Sequence, residues 1–203
     1  SMKNKIKAVI FDMDGVLIDA KDWHYDALNK ALEIFGLSIS RHEHLTTFDG
    51  LSTGQKLKML SKVHVLPESL HSFINEMKQQ YTMDITHQLC KPMFHHQFAL
   101  SKLKESGYKV AVASNSIRNT VKVMMQKSAL NEYLEFYLSN QDVSKGKPDP
   151  EIYNMAITNT PTFIFYKNGE ELNRIVETPV ESLEKDLVKI LKGQAYRNSK
   201  MLE

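Results

Sequence analysis

Ile6-Lys7-Ala8-Val9-Ile10-Phe11-Asp12-Met13-Asp14-Gly15-Val16-Leu17 is the stretch from which the fold is read. Residues 6–11 form a short, β-branched, mostly apolar run that stops abruptly at acids. Such a run predicts a strand buried in a parallel sheet rather than a helix. Working outward, apolar residues recur at helical spacing over 22–35 (Trp23, Ala27, Leu28, Ala31, Leu32, Phe35), and Gly36 supplies the stop. Further helices are predicted over 53–62, 67–81, 92–106, 117–127 and 151–157, with Pro67 suited to a first turn. Residues 108–113 and 136–138 read as the second and third strands. This alternation predicts an α/β fold with a Rossmann-like parallel sheet. The helical stretch between the first two strands is too long for a simple crossover. Residues 20–91 are therefore expected to form an inserted helical cap on a core of 1–19 and 92–192, with the polar tail 193–203 frayed.

Composition narrows the class. The 203 residues are 42% hydrophobic and 25% charged, ordinary for a globular chain and wrong for a disordered or fibrous one. Twenty-six Lys and Arg against 24 Asp and Glu leave a formal charge of +2, too balanced to argue for nucleic acid. Cys90 is the only cysteine, which excludes an internal disulfide and a cysteine metal cage. A reducing, cytoplasmic setting and a monomeric state are expected. No apolar run approaches the ~20 residues of a membrane span, so no membrane partner is expected. Ser1 ahead of Met2 reads as the remnant of an expression tag, and no leader peptide is expected.

The chemistry lies just past the strand ends, where open α/β sheets bind ligands. Asp12 and Asp14, two residues apart, can share one side of an extended chain. Such a pair either holds a hard divalent cation or divides into a nucleophile and an acid, because neighbouring carboxylates resist joint ionisation. An acidic strand-to-loop turn is the plainer alternative. The second strand ends in Ser114-Asn115-Ser116 before a helix, which offers a hydroxyl and free N–H groups to an anion; the same residues are also common helix caps. In Ser144-Lys145-Gly146-Lys147-Pro148-Asp149-Pro150 a lysine is then held on a loop by Gly and Pro, and a solvated loop charge is the plainer alternative.

Taken in this order, the acidic pair, the hydroxyl at a helix start and the Gly-Lys-Pro lysine resemble the haloacid dehalogenase superfamily. The likeness covers about residues 3–157 and is nearest to the phosphatase and phosphoglucomutase branch with a helical cap. It extends to Asp19 and His24, and to Gly50-Leu51-Ser52 in the cap, where His24, Gly50 and Ser52 are candidate substrate contacts. The resemblance implies that Asp12 is a nucleophile forming an aspartyl-phosphate. Asp14 would protonate the leaving oxygen and then activate water. Ser114, Asn115 and Lys147 would hold the phosphoryl group, and Mg²⁺ would bind Asp12 and the Asp14 main-chain carbonyl. Positioning and charge neutralisation dominate phosphoryl transfer, so the division of labour is physically sensible. The expected partner is a small phosphorylated metabolite. Sugar-phosphate mutase activity is the first alternative, disfavoured because Thr53 stands where a cap arginine is wanted. A non-catalytic phosphate-binding module is the second.

The resemblance fails in the last quarter. The family carries a further strand ending in two acids that complete the Mg²⁺ shell. Here Thr162-Phe163-Ile164-Phe165-Tyr166 ends in Tyr166-Lys167 instead. Lys167-Asn168-Gly169-Glu170 reads as a hairpin turn, followed by a strand over 171–176 and a helix over 180–191. Residues 160–192 are similar to the back half of a thioredoxin, although the absence of a Cys-x-x-Cys pair excludes dithiol chemistry. Glu170 or Glu171 is expected to substitute for the missing acids if strand 162–166 lies beside the first strand, with Asp142 next in line. His42 and His44 read as solvated loop residues. Adjacent His95 and His96 point about 100° apart on a helix, poor geometry for one metal. Met124, Met125 and Trp23 read as packing.

Overall fold

The computed structural model describes the main chain of residues 8–49, 51–159, 166–167, 170–171 and 175–176, with side chains over 8–49 and 51–156. In chain order the strands are β1 (Ala8–Phe11), β2 (Lys109–Ala113), β3 (Phe136–Leu138), β4 (Tyr166–Lys167), β5 (Glu170–Glu171) and β6 (Ile175–Val176). The α-helices are α1 (Lys21–Glu33), α2 (Arg41–Leu45), α3 (Thr53–Val63), α4 (His71–Leu89), α5 (Phe94–Glu105), α6 (Arg118–Lys127) and α7 (Glu151–Asn159). The chain divides into two compact units, 1–19 with 90–203, and 20–89.

The first unit is the α/β body that the sequence predicts. Its sheet runs β3-β2-β1-β6, and every pairing is parallel. All four residues of β1 are buried, as a strand covered on both faces must be. On one face Ala8, Ile10, Ala111, Ala113 and Leu138 pack with Ile152, Tyr153 and Ala156 of α7. Alternation along the strands turns Val9, Phe11, Val110 and Val112 to the other face, and α5 packs against β2. The second unit is helical and has its own core: Leu28, Ala31 and Leu32 of α1, Leu57 and Leu60 of α3, and Ile74 of α4, with Ile39, Phe48 and Leu66 from the connections. The Asn29 side chain holds both main-chain groups of Ile39, accepting from its N–H at 2.7 Å and donating to its carbonyl at 2.9 Å.

Several expectations need correction. Residues 67–81 are not one helix from Pro67: a single 3-10 turn, Glu68–Leu70, precedes α4, which continues to Leu89. His42 and His44 lie on α2 rather than in a loop. That helix starts because Ser40 and Glu43 form a reciprocal capping box. The partner of β1 opposite β2 is β6, not strand 162–166: Ile10 stands opposite Ile175 and Phe11 opposite Val176. Tyr166–Lys167 instead pairs antiparallel with Glu170–Glu171 in a separate two-stranded sheet. Residues 162–165, Asn168 and Gly169 of the expected hairpin turn, the helix expected over 180–191 and the tail 193–203 lie outside the described residues. No helix among the described residues is long and apolar enough to cross a membrane.

One buried polar group was not anticipated. His96 of α5 is 3% exposed, its Nε2 has no hydrogen-bond partner, and its ring centroid lies 4.2 Å from that of His95. Burial, aided by the neighbouring His95, pushes its pKa from the ordinary 6.5 down to about 4. Below pH 6.5 the unfolded chain therefore takes up a proton that the folded chain refuses until about pH 4. Stability is complete above that window and falls as the pH drops through it, by on the order of 1 kcal/mol for each unit of displacement. His96→Leu should remove this slope, so that urea unfolding at pH 5 and pH 7 differs less for the variant than for the wild type. Equal differences would mean that His96 does not carry the acid sensitivity.

Candidate active site

The site is assembled where β1 and β2 end together. Phe11 stands opposite Val112, so Asp12 leaves the sheet beside the end of β2. Ser114 follows β2, and its N–H donates to the Leu138 carbonyl at 3.0 Å, extending the β2–β3 pairing and burying the residue completely. The chain then turns into α6, and the Ser116 N–H donates to Ser114 Oγ at 3.0 Å. After β1 the turn is equally tight. The N–H groups of Val16, Leu17 and Ile18 all donate to the Met13 carbonyl, and Gly15 sits at a φ of 77°, where a side chain would be strained.

Lys147 links these two ends. Its Nζ donates to Asp12 Oδ1 at 2.8 Å and to the Ala113 carbonyl at 2.7 Å. The Lys147 side chain is 13% exposed and the Asp12 side chain 30%, so the pair is shielded without being sealed from solvent. Oδ1 also accepts the Met13 N–H at 2.8 Å, whereas Oδ2 makes no hydrogen bond among the described residues. Burial holds the Asp12 carboxyl above the usual carboxylate range; Lys147 pulls it down and nearby Asp14 pushes it up. Asp14 Oδ2 accepts from Ser116 Oγ at 3.1 Å.

The loop that carries Lys147 is pinned from both sides. The Glu151 carboxylate, on the first turn of α7, accepts the N–H groups of Ser144 and Lys145, each at 2.9 Å, and the Ser144 hydroxyl. These donors hold the Glu151 carboxyl below its ordinary range. On the other side Asn115 Oδ1 accepts the Lys147 N–H at 2.8 Å, and Asn115 Nδ2 donates to the Lys147 carbonyl at 3.1 Å.

Asp12, Asp14, Ser114, Asn115 and Lys147 thus meet within one unit. Ser116 joins them, and only its place two residues past Ser114 hinted at it. His24 and Ser52 belong to the helical unit. His24 Nδ1 lies 2.9 Å from Lys78 Nζ, and the Ser52 hydroxyl caps α3 by accepting the Gln55 N–H at 3.2 Å. Gly50 and the side chains of Glu170 and Glu171 lie outside the described residues. The Asp142 carboxylate is committed to the Ser139 N–H and hydroxyl, at 2.8 and 3.0 Å, and to the Arg118 guanidinium. Although burial opposes it, these groups hold Asp142 below the usual range.

The donor chemistry at Asp12 suits a hard cation, because its Oδ2 takes no hydrogen bond among the described residues. No cluster of three His, Cys, Asp or Glu suited to a metal occurs among the described residues. The described residues therefore build only part of a magnesium shell.

The haloacid dehalogenase-like hydrolase family model matches residues 9–162. A phosphorylated carbohydrates phosphatase of Thermotoga maritima is 26% identical over 75% of this chain and 69% of its own length. The pyrophosphatase PpaX of Bacillus thuringiensis is also 26% identical, over 75% of this chain and 68% of its own. Among solved structures, CbbY from Rhodobacter sphaeroides in complex with phosphate superposes with a TM-score of 0.64 at 20% identity. That superposition covers 77% of this chain and 74% of that one; the likeness is one of fold.

The Glu151 clamp has a local consequence. Glu151→Gln exchanges one acceptor oxygen for an amide that cannot accept from both Ser144 and Lys145. Amide exchange at Ser144 and Lys145 should accelerate while the sheet amides keep their protection. Unchanged exchange at those two amides would show that the loop is held without this carboxylate.

Proposed function

We propose that this chain, which belongs to the haloacid dehalogenase-like hydrolase family, is a phosphatase that cleaves small phosphorylated metabolites through an aspartyl-phosphate on Asp12. The observation that carries the reading is the contact of Lys147 Nζ with both Asp12 Oδ1 and the Ala113 carbonyl. It sets a cation beside a partly shielded carboxylate at the ends of two parallel strands. Phosphoryl transfer needs this combination of a nucleophile and fixed positive charge where oxygen charge accumulates.

The Asp12 carboxylate attacks phosphorus. The bond from phosphorus to the leaving oxygen breaks, and Asp14, protonated, gives that oxygen its proton. Asp14 then takes a proton from water as the water oxygen attacks phosphorus, and the bond to Asp12 breaks, returning the free carboxylate and phosphate. Lys147 neutralises charge on the transferring group, and Ser114 Oγ, oriented by the Ser116 N–H, hydrogen-bonds it. The Ser116 hydroxyl donates to Asp14 Oδ2 and so steadies that side chain. Magnesium, when bound, screens the charge between carboxylate and phosphate; Asp12 and the Asp14 main-chain carbonyl are the residues assigned to hold it. Residues 20–89 are assigned the role of cap, with His24, Gly50 and Ser52 as its substrate-facing candidates. The names of the two relatives support a phosphorylated carbohydrate or pyrophosphate as substrate. They favour hydrolysis over mutase chemistry.

Turnover of p-nitrophenyl phosphate, then of sugar phosphates and pyrophosphate, with and without Mg²⁺, tests the reading. Asp12→Asn should abolish turnover with the fold intact, a loss of several powers of ten, because an amide does not attack phosphorus. Appreciable activity in a clean Asp12→Asn preparation would sink the covalent mechanism.

A second test concerns the rest of the metal shell. Val176, opposite Phe11, is followed in sequence by Glu177, as Phe11 is followed by Asp12. Glu177 is therefore the candidate ligand that this register favours, and Glu170 and Glu171, whose strand pairs in a separate sheet, are the comparisons. Calorimetric Mg²⁺ titration of the three Glu→Gln variants should find at least one whose affinity falls about tenfold or more. Wild-type affinity in all three would mean that none of these acids binds the metal.

A further inference from the structure

We propose that Asn115 is a positioning residue that acts through Lys147, not a ligand of the phosphoryl group. The proposal rests on the phosphatase reading above. An asparagine amide offers an acceptor and a donor side by side, which matches the N–H and C=O of one residue in an extended main chain. Asn115 uses both on the same residue: Oδ1 accepts the Lys147 N–H at 2.8 Å and Nδ2 donates to the Lys147 carbonyl at 3.1 Å. Two bonds to one residue fix the orientation of the Lys147 backbone as well as its distance from the end of β2.

The neighbouring residue is shaped to the same contact. A Cβ on Gly146 would stand 2.8 Å from Asn115 Oδ1, closer than real Cβ contacts come, so only glycine lets the amide approach. Lys147 is thereby held at both ends, its main chain by Asn115 and its Nζ by Asp12 and Ala113. A lysine side chain has many rotamers, and a free loop would let its ammonium wander. Fixing the backbone restricts where the charge stands, and misplacement by about 1 Å near reacting atoms costs on the order of a hundredfold in rate.

Three measurements test this. Amide exchange at residue 147 should accelerate in Asn115→Ala while the melting temperature stays within a few degrees of the wild type; unchanged protection would overturn the clamp. In turnover of p-nitrophenyl phosphate, Asn115→Ala should lower kcat/KM by about 10- to 100-fold in the wild-type background and by less than about twofold when added to Lys147→Ala. Independent, multiplying losses would overturn the proposal and make Asn115 a direct phosphate ligand. Gly146→Ala should reproduce the Asn115→Ala defect and add nothing to it. A larger loss in the Gly146→Ala/Asn115→Ala double variant would likewise count against the clamp. If Lys147→Ala turned over substrate like the wild type, the phosphatase reading itself would fail. A defect in Lys147→Ala with multiplying losses defeats only the present inference.

Discussion

The four residues of β1, none more than 3% exposed, pair in parallel register with β2 on one side and β6 on the other. A strand buried on both faces must satisfy its main chain through the ladder alone, so its register is strongly fixed. The polar groups at the ends of β1 and β2 are placed by that ladder. It brings Asp12 off the sheet beside the end of β2, where the Ala113 carbonyl faces the incoming ammonium of Lys147. It also carries Ser114 one step further, buried against β3. A one-residue slip would turn the apolar set outward and separate the Asp12 carboxylate from the Lys147 ammonium. The burial that raises the proton affinity of Asp12 and the pairing that lowers it have the same origin.

Much of this was legible because short apolar runs ending in acids or hydroxyls carry their own meaning. The strands over 108–113 and 136–138 could be read from such runs, and the gathering of Asp12, Ser114 and Lys147 was implied by the family resemblance. What lay in hydrogen bonds between distant loops could not. Ser116 reaching Asp14, and Asn115 reaching the Lys147 main chain, each join residues more than 30 positions apart through a polar group that in sequence looks like a helix cap. The beginning of α2 was missed because its Ser40–Glu43 capping box precedes only five helical residues, too few to show a period. His96 escaped because an adjacent histidine pair gives no sign of which ring is inside.

Serine also plays opposite parts in the two units. Ser40 and Ser52 accept from main-chain N–H groups three residues on and so begin helices of the helical unit. In Ser52 the hydroxyl that family resemblance gives to substrate is engaged by the Gln55 N–H. A hydroxyl oxygen has two lone pairs and one proton, so capping leaves the proton for a further acceptor. Ser114 shares that economy, since its oxygen receives the Ser116 N–H while its own O–H can still donate. The same side-chain chemistry can thus start a helix and serve an anion at once.

Cys90 gives the molecule a use of a different kind. Its thiol is 7% exposed, with Sγ 3.7 Å from the Met124 carbonyl, and burial lifts its pKa to about 11. A thiol so placed is a poor nucleophile while the structure is closed, and it is the chain's only one. Reaction with an alkylating reagent therefore requires the surroundings of α6 to open, and the labelling rate counts those openings. The chain contains a single-site stopwatch for local unfolding that needs no engineered cysteine.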